Sequence, residues 1–223
     1  MVIFKYMAPI ESTIVIRHGE SYEDVDPNIK GILDDTEIEL TENGVKNAKD
    51  LAERFRSEFA NFDKITIFVS PYKRTIQTAE IILDTLKDPR IKMEIEMSLK
   101  SINMGNIDHE NAKKVEKERY RIGTLKYKFE GGDDSSLYVS SIYDFVNKLV
   151  VDKHVKSNLK ECVLIITHGF PLRLVVKAFT EMTDEDFKWI KNPPNSYVAR
   201  IYFDPTTGSF VISEPMQKIK PVV

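Results

Sequence analysis

The most informative stretch of the sequence reads Thr13-Ile14-Val15-Ile16-Arg17-His18-Gly19-Glu20, an apolar, mostly β-branched run that ends abruptly in charged and polar residues. A continuous apolar run of this length is typical of a strand buried on both faces of a parallel sheet. In such sheets, ligands bind beyond the carboxyl ends of the strands. The stretch therefore predicts an internal strand with a binding site at its end.

Further strands and helices are indicated by hydrophobic periodicity along the chain. Strand-like runs occupy residues 65–69, 91–95 (the weakest), 163–166 and 197–203, with 210–212 as an edge partner. Apolar residues recur at helical spacing over 45–55, 76–86 and 139–150, and residues 172–179 are apolar nearly all round, which predicts a buried helix. This alternation predicts an α/β fold, a three-layer α/β/α sandwich with a mostly parallel central sheet.

Length and charge narrow the class of protein. The chain has 223 residues, 32 Lys and Arg against 35 Asp and Glu, a net charge of −3 and one cysteine, Cys162. These numbers exclude a disulfide framework and a sequence-wide basic surface, so we expect neither nucleic acid nor membrane as a partner. Residues 1–10 lack the apolar core of a secretory signal, so we expect a cytoplasmic location.

The chain reads as a single domain over residues 1–223. A polar segment at about 101–134, closed by two glycines, reads as an inserted cap. It carries five basic residues that either favour an acidic substrate or form a solvated helix face: Lys113, Lys114, Lys117, Arg119 and Arg121.

Three predicted strand ends carry residues suited to a phosphoryl group. Arg17 and His18 follow the first strand, His168 follows the run at 163–166, and Ser70-Pro71 reads as a helix N-cap with Arg74 one turn in. Arginine forms bidentate hydrogen bonds with phosphate oxygens, and the N-termini of helices bind anions favourably. A neutral imidazole among such groups can attack phosphorus, which predicts catalysis through a phosphohistidine.

Other uses of these histidines are less well supported. Arginines beside each candidate ligand would repel a metal dication, so we expect no metal and no cofactor. No glycine pattern of a nucleotide-binding loop is present. His109 and His154 lie among polar residues, so we expect both to be exposed to solvent and without a catalytic role. We expect Cys162 to be an unreactive residue of the core.

Four ordered motifs together resemble the histidine phosphatase superfamily, the phosphoglycerate-mutase-like group. They are Arg17-His18-Gly19-Glu20-Ser21, Leu40-Thr41-Glu42-Asn43-Gly44, Ser70-Pro71-Tyr72-Lys73-Arg74-Thr75-Ile76-Gln77-Thr78-Ala79 and Thr167-His168-Gly169. The resemblance implies a phosphoglycerate-mutase-like fold, with His18 as the nucleophile. It also implies that Arg17, Arg74 and His168 complete the phosphate pocket and that Gly169 contacts substrate. The expected partner is a small phosphate ester or a phosphorylated substrate, and a homodimer is left open.

Two positions depart from the family pattern. Ser101 stands where the family commonly has the glutamate that protonates the leaving oxygen, and losing a general acid costs roughly 10²- to 10⁴-fold in rate. Asp108 and Glu110 are the nearest substitutes, although Asp108 also reads as the N-cap of a helix from about His109. Asp24 stands about where mutases commonly have an asparagine, and it would weaken dianion binding or carry a proton itself.

Three functions follow from these features. The leading hypothesis is a phosphomonoesterase, because the pocket and nucleophile are present. The second is a phosphatase-like module that binds phosphate or protein without turnover, which Ser101 and Asp24 favour. A phosphoglycerate mutase ranks third, because the cap has no adjacent Arg pair. Arg173 either orients the loop after His168 or has a structural partner only.

Overall fold

A computed structural model describes residues 12–26, 28–107, 111–155 and 159–219. The strands are β1 (Ser12–Arg17), β2 (Lys64–Val69), β3 (Ile91–Ile95), β4 (Glu161–Thr167), β5 (Val198–Asp204) and β6 (Ser209–Ile212). The helices are α1 (Tyr22–Val25), α2 (Glu42–Phe59), α3 (Lys73–Leu86), α4 (Ala112–Ile122), α5 (Ser135–Val155), α6 (Gly169–Thr180) and α7 (Asp184–Lys188). Every predicted strand is present, so the periodicity located the sheet correctly.

The six strands form one mixed sheet in the order β3-β2-β4-β1-β5-β6. The β2–β3, β2–β4 and β1–β4 pairs are parallel, whereas β5 runs antiparallel to both β1 and β6. In the central pair, Arg17 of β1 is in register with Thr167 of β4. The residues that follow these two strands, His18 and His168, therefore leave the sheet side by side.

Both faces of the sheet are covered by helices, which confirms the predicted three-layer sandwich. Val15 of β1 belongs to the buried cluster formed with α5 and α6. Its neighbours Ile14 and Ile16 point to the opposite face and join the cluster formed with α2 and α3. Successive side chains of a strand point to opposite faces of the sheet. A strand that is apolar at every position is therefore buried on both faces. The predicted helix at 172–179 is α6, in which every residue but Arg173 is buried over that range.

One helix start differs from the prediction. α3 begins at Lys73, with Tyr72 at the N-cap position and no side-chain cap, rather than at Ser70-Pro71. The Ser70 hydroxyl instead lies 2.8 Å from Nε2 of His168. The serine was predicted to satisfy a helix end, and it is used to hold the second histidine.

The segment at 101–134 contains α4, which has no fully buried residue, and a following stretch in which Tyr127 and Phe129 join the α5–α6 side of the core. α4 begins at Ala112 with Asn111 at its N-cap position, three residues later than predicted. Asp108 and Glu110, the predicted substitute acids, lie outside the described residues. Among the helices of the described ranges, none has the length and apolar character to cross a membrane.

Candidate active site

His18 and His168 meet at the end of the central strand pair. Their ring centroids are 5.1 Å apart and the rings are inclined at 65°. The His18 backbone N–H donates to the Thr167 carbonyl at 2.9 Å, which continues the β1–β4 pairing by one residue. Both side chains are buried, so the structure brings together the two histidines that the sequence singled out.

The protonation state of His18 follows from its surroundings. Its Nδ1 lies 2.7 Å from the Gly19 carbonyl oxygen, which can only accept a hydrogen bond, so Nδ1 carries the proton. Burial, followed by the charges of Arg74 and Arg17, lowers the pKa of His18 to about 3. The imidazole is therefore neutral near pH 7, and Nε2 holds the lone pair that a nucleophile needs.

Arg17 is fixed at the end of β1 by two contacts. Its Nη1 donates to the Pro193 carbonyl at 2.8 Å, and its Nη2 forms an ion pair with Asp24 Oδ1 at 2.6 Å. Asp24 also accepts from the Ser21 backbone and hydroxyl and from Asn195 Nδ2 at 2.9 Å. Burial acts to raise the pKa of Asp24, but these hydrogen bonds and nearby positive charges outweigh it and lower that pKa. Asp24 is thus an ionised group that positions Arg17, and a role as proton carrier is not supported.

Arg74 lies in the first turn of α3 and is 1% exposed. Its Nη2 is 3.1 Å from Glu23 Oε2, and its Nη1 is 3.2 Å from Asp35 Oδ1 and donates to the Asp35 carbonyl at 2.6 Å. Lys30 bridges both acids, at 2.5 Å from Glu23 and 3.7 Å from Asp35. Carboxylates therefore contact the same guanidinium that was predicted to bind phosphate.

His168 is held by the hydroxyl of Ser70 and packs edge-on against Tyr72, with ring centroids 5.0 Å apart. Burial, then the positive charge that His18 carries only when protonated and the charge of Arg74, lowers the pKa of His168 well below the ordinary range, so His168 too is neutral. Its Nδ1 is buried and has no hydrogen-bond partner within the described residues. A buried polar atom without a partner is rare, and one beside a ligand cleft is suited to bind the ligand.

Gly169 is the first residue of α6, directly after His168. A Cβ at this position would lie 2.3 Å from the Asn192 amide oxygen, so only glycine lets that side chain approach. Gly169 and the next residue, Phe170, line the same cleft as the two histidines. The first residues of α6 therefore border this cleft, and so does Arg74 in the first turn of α3.

These residues line one cleft of about 320 Å³. All four predicted site residues border it, and so do Gly169 and Ser101. The lining also includes residues that the sequence did not single out: Glu23, Lys30, Ile102, Met104, Phe170 and Asn192. Arg119, one of the five basic residues of the cap segment, and Arg173, considered for orienting the loop after His168, border the cleft as well. Glu23 supplies the one carboxylate among the described lining residues, against five Lys and Arg side chains, so the cleft suits an anion.

The single cysteine and the other two histidines, His109 and His154, provide no second candidate site in the part of the chain that the structure describes. Cys162 is buried in the core, and burial raises the pKa of its thiol to about 12, in keeping with a packing role. His109 and the side chain of His154 lie outside the described part of the chain. Over the described part of the chain, no three His, Cys, Asp or Glu side chains cluster as metal ligands do.

Known proteins resemble this chain in sequence and in fold. Residues 13–213 match the family described as the histidine phosphatase superfamily (branch 1). The phosphoglycerate mutase-like protein AT74 of Arabidopsis thaliana is 25% identical over 197 residues, which cover 83% of this chain and 62% of that protein. A 2,3-bisphosphoglycerate-dependent phosphoglycerate mutase of Thermoplasma acidophilum is 29% identical over 175 residues, 78% of each chain. The mycobacterial glucosyl-3-phosphoglycerate phosphatase shares the fold, with a TM-score of 0.71 at 15% identity over 92% of this chain and 99% of that one.

Proposed function

This chain belongs to the histidine phosphatase superfamily, and on that premise we propose that it is a phosphomonoester hydrolase acting through a phosphohistidine at His18. The observation that carries the proposal is the state of His18. Its Nδ1 is fixed by the Gly19 carbonyl at 2.7 Å, and the ring is neutral between Arg17 and Arg74. A neutral imidazole with a free Nε2 beside two guanidiniums has what a nucleophile for phosphorus requires.

The reaction has two displacements. In the first, the Nε2 lone pair attacks phosphorus, the N–P bond forms, and the P–O ester bond breaks with its electron pair going to the leaving oxygen. In the second, water attacks phosphorus, the N–P bond breaks, and inorganic phosphate leaves neutral His18 behind. Arg17 and Arg74 stabilise the phosphoryl charge in both steps. His168 contributes Nδ1–H to a phosphoryl oxygen when the Ser70 hydroxyl donates to its Nε2.

The leaving oxygen needs a proton, and Ser101 does not supply one near neutral pH. Ser101 borders the cleft with His18, in the position where the family resemblance places a glutamate. Without a general acid, the first step is slower by roughly 10²- to 10⁴-fold for poor leaving groups and little affected for good ones. We therefore expect esters of acidic alcohols, such as phenols, to be the better substrates.

Ser101 also favours a hydrolase over a mutase. A mutase returns the phosphoryl group to a hydroxyl, and that hydroxyl must be protonated and deprotonated at the same place in each cycle. A serine serves neither step well. The relatives include both phosphatases and mutases, so the comparison alone does not choose between them.

The test is hydrolysis of p-nitrophenyl phosphate, whose leaving group needs no acid. We expect turnover by the wild-type chain and its loss, by at least about 10³-fold, in His18→Ala. His154→Ala, in the last turn of α5, is the matched control and should retain activity. If the wild-type chain binds inorganic phosphate but does not hydrolyse this ester, the hydrolase proposal is wrong and a phosphate-binding module remains.

A further inference from the structure

The loop between α7 and β5, residues 192–197, is hydrogen-bonded to the end of β1 and to the nucleophile. The Tyr197 carbonyl accepts from the Arg17 backbone N–H at 3.1 Å. The Ser196 N–H donates to the His18 carbonyl at 3.0 Å. The 192–197 loop therefore holds the backbone of two residues that the phosphate pocket depends on.

Ser196 gives this loop an unusual backbone conformation. Its φ is +58°, in the left-handed region that residues other than glycine rarely adopt. Such a conformation persists only where the surrounding structure holds it, and residues of this kind cluster at functional sites. In this conformation the Ser196 N–H donates to His18, and the side chain of the preceding Asn195 reaches the residues that follow His18.

The side-chain amide of Asn195 connects the nucleophile with the ion pair of the phosphate pocket. Its Nδ2 donates to the Gly19 carbonyl at 3.3 Å and to Asp24 Oδ2 at 2.9 Å. The Gly19 carbonyl is the group to which His18 Nδ1 donates, at 2.7 Å. Asp24 is the carboxylate that pairs with Arg17. An amide nitrogen carries two N–H donors, so this one group serves both acceptors.

The two acceptors depend on Asn195 to different degrees. Asp24 is also held by the Ser21 backbone N–H, the Ser21 hydroxyl and the Arg17 guanidinium. Among the described residues, the Gly19 carbonyl oxygen has His18 and Asn195 as its hydrogen-bond partners. Loss of the Asn195 amide therefore leaves Asp24 in place and leaves the Gly19 carbonyl with His18 alone.

We propose that Asn195 is a positioning residue for the nucleophile: by donating to the Gly19 carbonyl, it fixes the acceptor that keeps the His18 proton on Nδ1 and the lone pair on Nε2. This inference rests on the proposed function, because attack by Nε2 is the step that the orientation serves. Asn195 is not among the described residues that line the cleft, so it acts through Gly19 and not on the substrate. It lies 176 residues after Gly19 in the chain, so only the fold brings the two together.

The test begins with Asn195→Ala in hydrolysis of p-nitrophenyl phosphate. For a two-step reaction, kcat/KM reports the transfer of the phosphoryl group to His18. We expect the variant to lower kcat/KM by roughly 10- to 100-fold, the scale of a small displacement of a reacting group. The dissociation constant of inorganic phosphate, measured by calorimetry, should change by less than about threefold, because Arg17 keeps its ion pair with Asp24.

Asn195→Asp keeps the shape of the side chain and replaces the donor with a carboxylate. At pH 7 that carboxylate would face the Gly19 carbonyl and Asp24, itself paired with Arg17, so we expect kcat/KM to fall below that of Asn195→Ala. The neighbouring charge of Asp24 raises the pKa of the introduced carboxyl, and protonation restores a donor. The ratio of variant to wild-type kcat/KM should therefore rise by at least about threefold as the pH falls from 7 to 5.

Asn61→Asp, at an exposed position after α2, is the matched control and should keep a ratio near one at both pH values. The positioning role is wrong if Asn195→Ala keeps kcat/KM within about twofold of wild type, or if the ratio for Asn195→Asp does not change with pH. Equal losses of kcat/KM and of phosphate affinity in Asn195→Ala would also overturn it, because the effect would then arise in the phosphate pocket. These outcomes leave the proposed function standing, whereas a wild-type chain that does not hydrolyse the ester removes both.

A measurement on the wild-type chain covers the case in which neither variant folds. Nuclear magnetic resonance compares the solvent exchange of side-chain amide protons in Asn195 and in the exposed Asn61. We expect slower exchange at Asn195, because both of its N–H groups donate within the protein. Equal exchange rates at the two residues would contradict the hydrogen bonds on which the inference depends.

Discussion

At the scale of single residues, the site is characterised by which of its charged side chains are paired with each other. His18 and His168 are neutral because they are buried beside guanidiniums, and Arg74 is paired with carboxylates from the segment between β1 and α2, Glu23 in α1 and Asp35. Under the proposed function, a phosphate dianion at this site would compete with Glu23 and Asp35 for Arg74. The competition is intramolecular and lowers the affinity for phosphate below what two free arginines would give.

Replacing Glu23 removes one of these competitors. We expect Glu23→Gln to tighten binding of inorganic phosphate by about threefold to tenfold, the scale of one partly exposed ion pair. Calorimetry measures the change. Glu53→Gln is the matched control, because Glu53 pairs with Arg56 on the exposed face of α2. Unchanged or weaker binding in Glu23→Gln, relative to the control, would show that Glu23 does not compete for the phosphate site.

Replacing Ser101 tests the missing proton donor. We expect Ser101→Glu to raise kcat/KM for an alkyl phosphate by about 10- to 100-fold and to change that for p-nitrophenyl phosphate little. Ser140→Glu adds the same charge to the exposed face of α5 and should alter neither. An equal change for both esters in Ser101→Glu would mean that the added carboxyl acts through charge and not as an acid.

At the scale of elements, the loop that carries His18 is packed directly on the start of α2. A Cβ on Gly44 would lie 2.0 Å from the Glu20 carbonyl oxygen, and one on Gly19 would lie 2.7 Å from the Gly44 carbonyl oxygen. Thr41 caps α2 by accepting from Gly44 N–H at 3.1 Å and also donates to the Glu20 carboxylate at 2.7 Å. The start of α2 and the loop that carries His18 therefore hold each other in position.

Gly44→Ala separates these two backbones. We expect it to lower the free energy of unfolding by more than about 2 kcal/mol and to reduce turnover, because the backbone of the His18 loop must move. Asn43→Ala, at an exposed position in the same turn, should change stability by about 0.5 kcal/mol or less. Urea denaturation and p-nitrophenyl phosphate hydrolysis measure the two effects. Equal stabilities of the two variants would contradict the close packing.

Local sequence was sufficient for the strands but not for every helix end. A short apolar run that alternates along the chain with helical patterns is best explained as a buried strand. The structure has a strand at every run for which the sequence predicted one. The α3 start was misplaced because Ser70 is taken by His168, a partner 98 residues away that no local pattern reveals. The α4 start was likewise displaced, to Asn111 and Ala112.

At the scale of the whole molecule, the two buried histidines connect stability to pH. The pKa of His18 is about 3 in the folded protein and 6.5 as the ordinary value. Between these two pH values the unfolded chain binds a proton that the native protein does not. Stability is therefore lost as pH falls from 6.5 toward 3, and His168 acts in the same direction.

This linkage can be measured by urea denaturation at pH 7 and pH 5. We expect the wild-type chain to lose roughly 2 kcal/mol more than His18→Gln between these values, because the variant lacks one titrating group. Carboxylates contribute equally to the loss of stability in the wild-type chain and in His18→Gln. The difference between the two losses therefore reports the titration of His18. Identical losses would show that His18 is not held neutral by the fold.

The composition of the site was only partly predictable. His18, His168, Arg17 and Arg74 could be found because each lies at or just after the end of a strand or in the helix that follows one. Glu23 and Lys30 could not, because the segment between β1 and α2 shows no hydrophobic periodicity, and because Glu23 is brought to the site through Arg74, which is distant in sequence, and Lys30 through Glu23. Arg119 stood out only as one of five basic residues, and the fold separates it from the four that remain exposed.

The most direct test of the whole account is to detect the phosphorylated nucleophile. The wild-type chain is mixed rapidly with p-nitrophenyl phosphate, quenched in alkali, which preserves phosphohistidine, and digested for mass spectrometry. We predict a phosphoryl group on the peptide and residue of His18, which is lost on acid treatment and absent from His18→Ala. Hydrolysis of the ester with no phosphoryl group on His18, or with the group on another residue such as His168, would contradict the account.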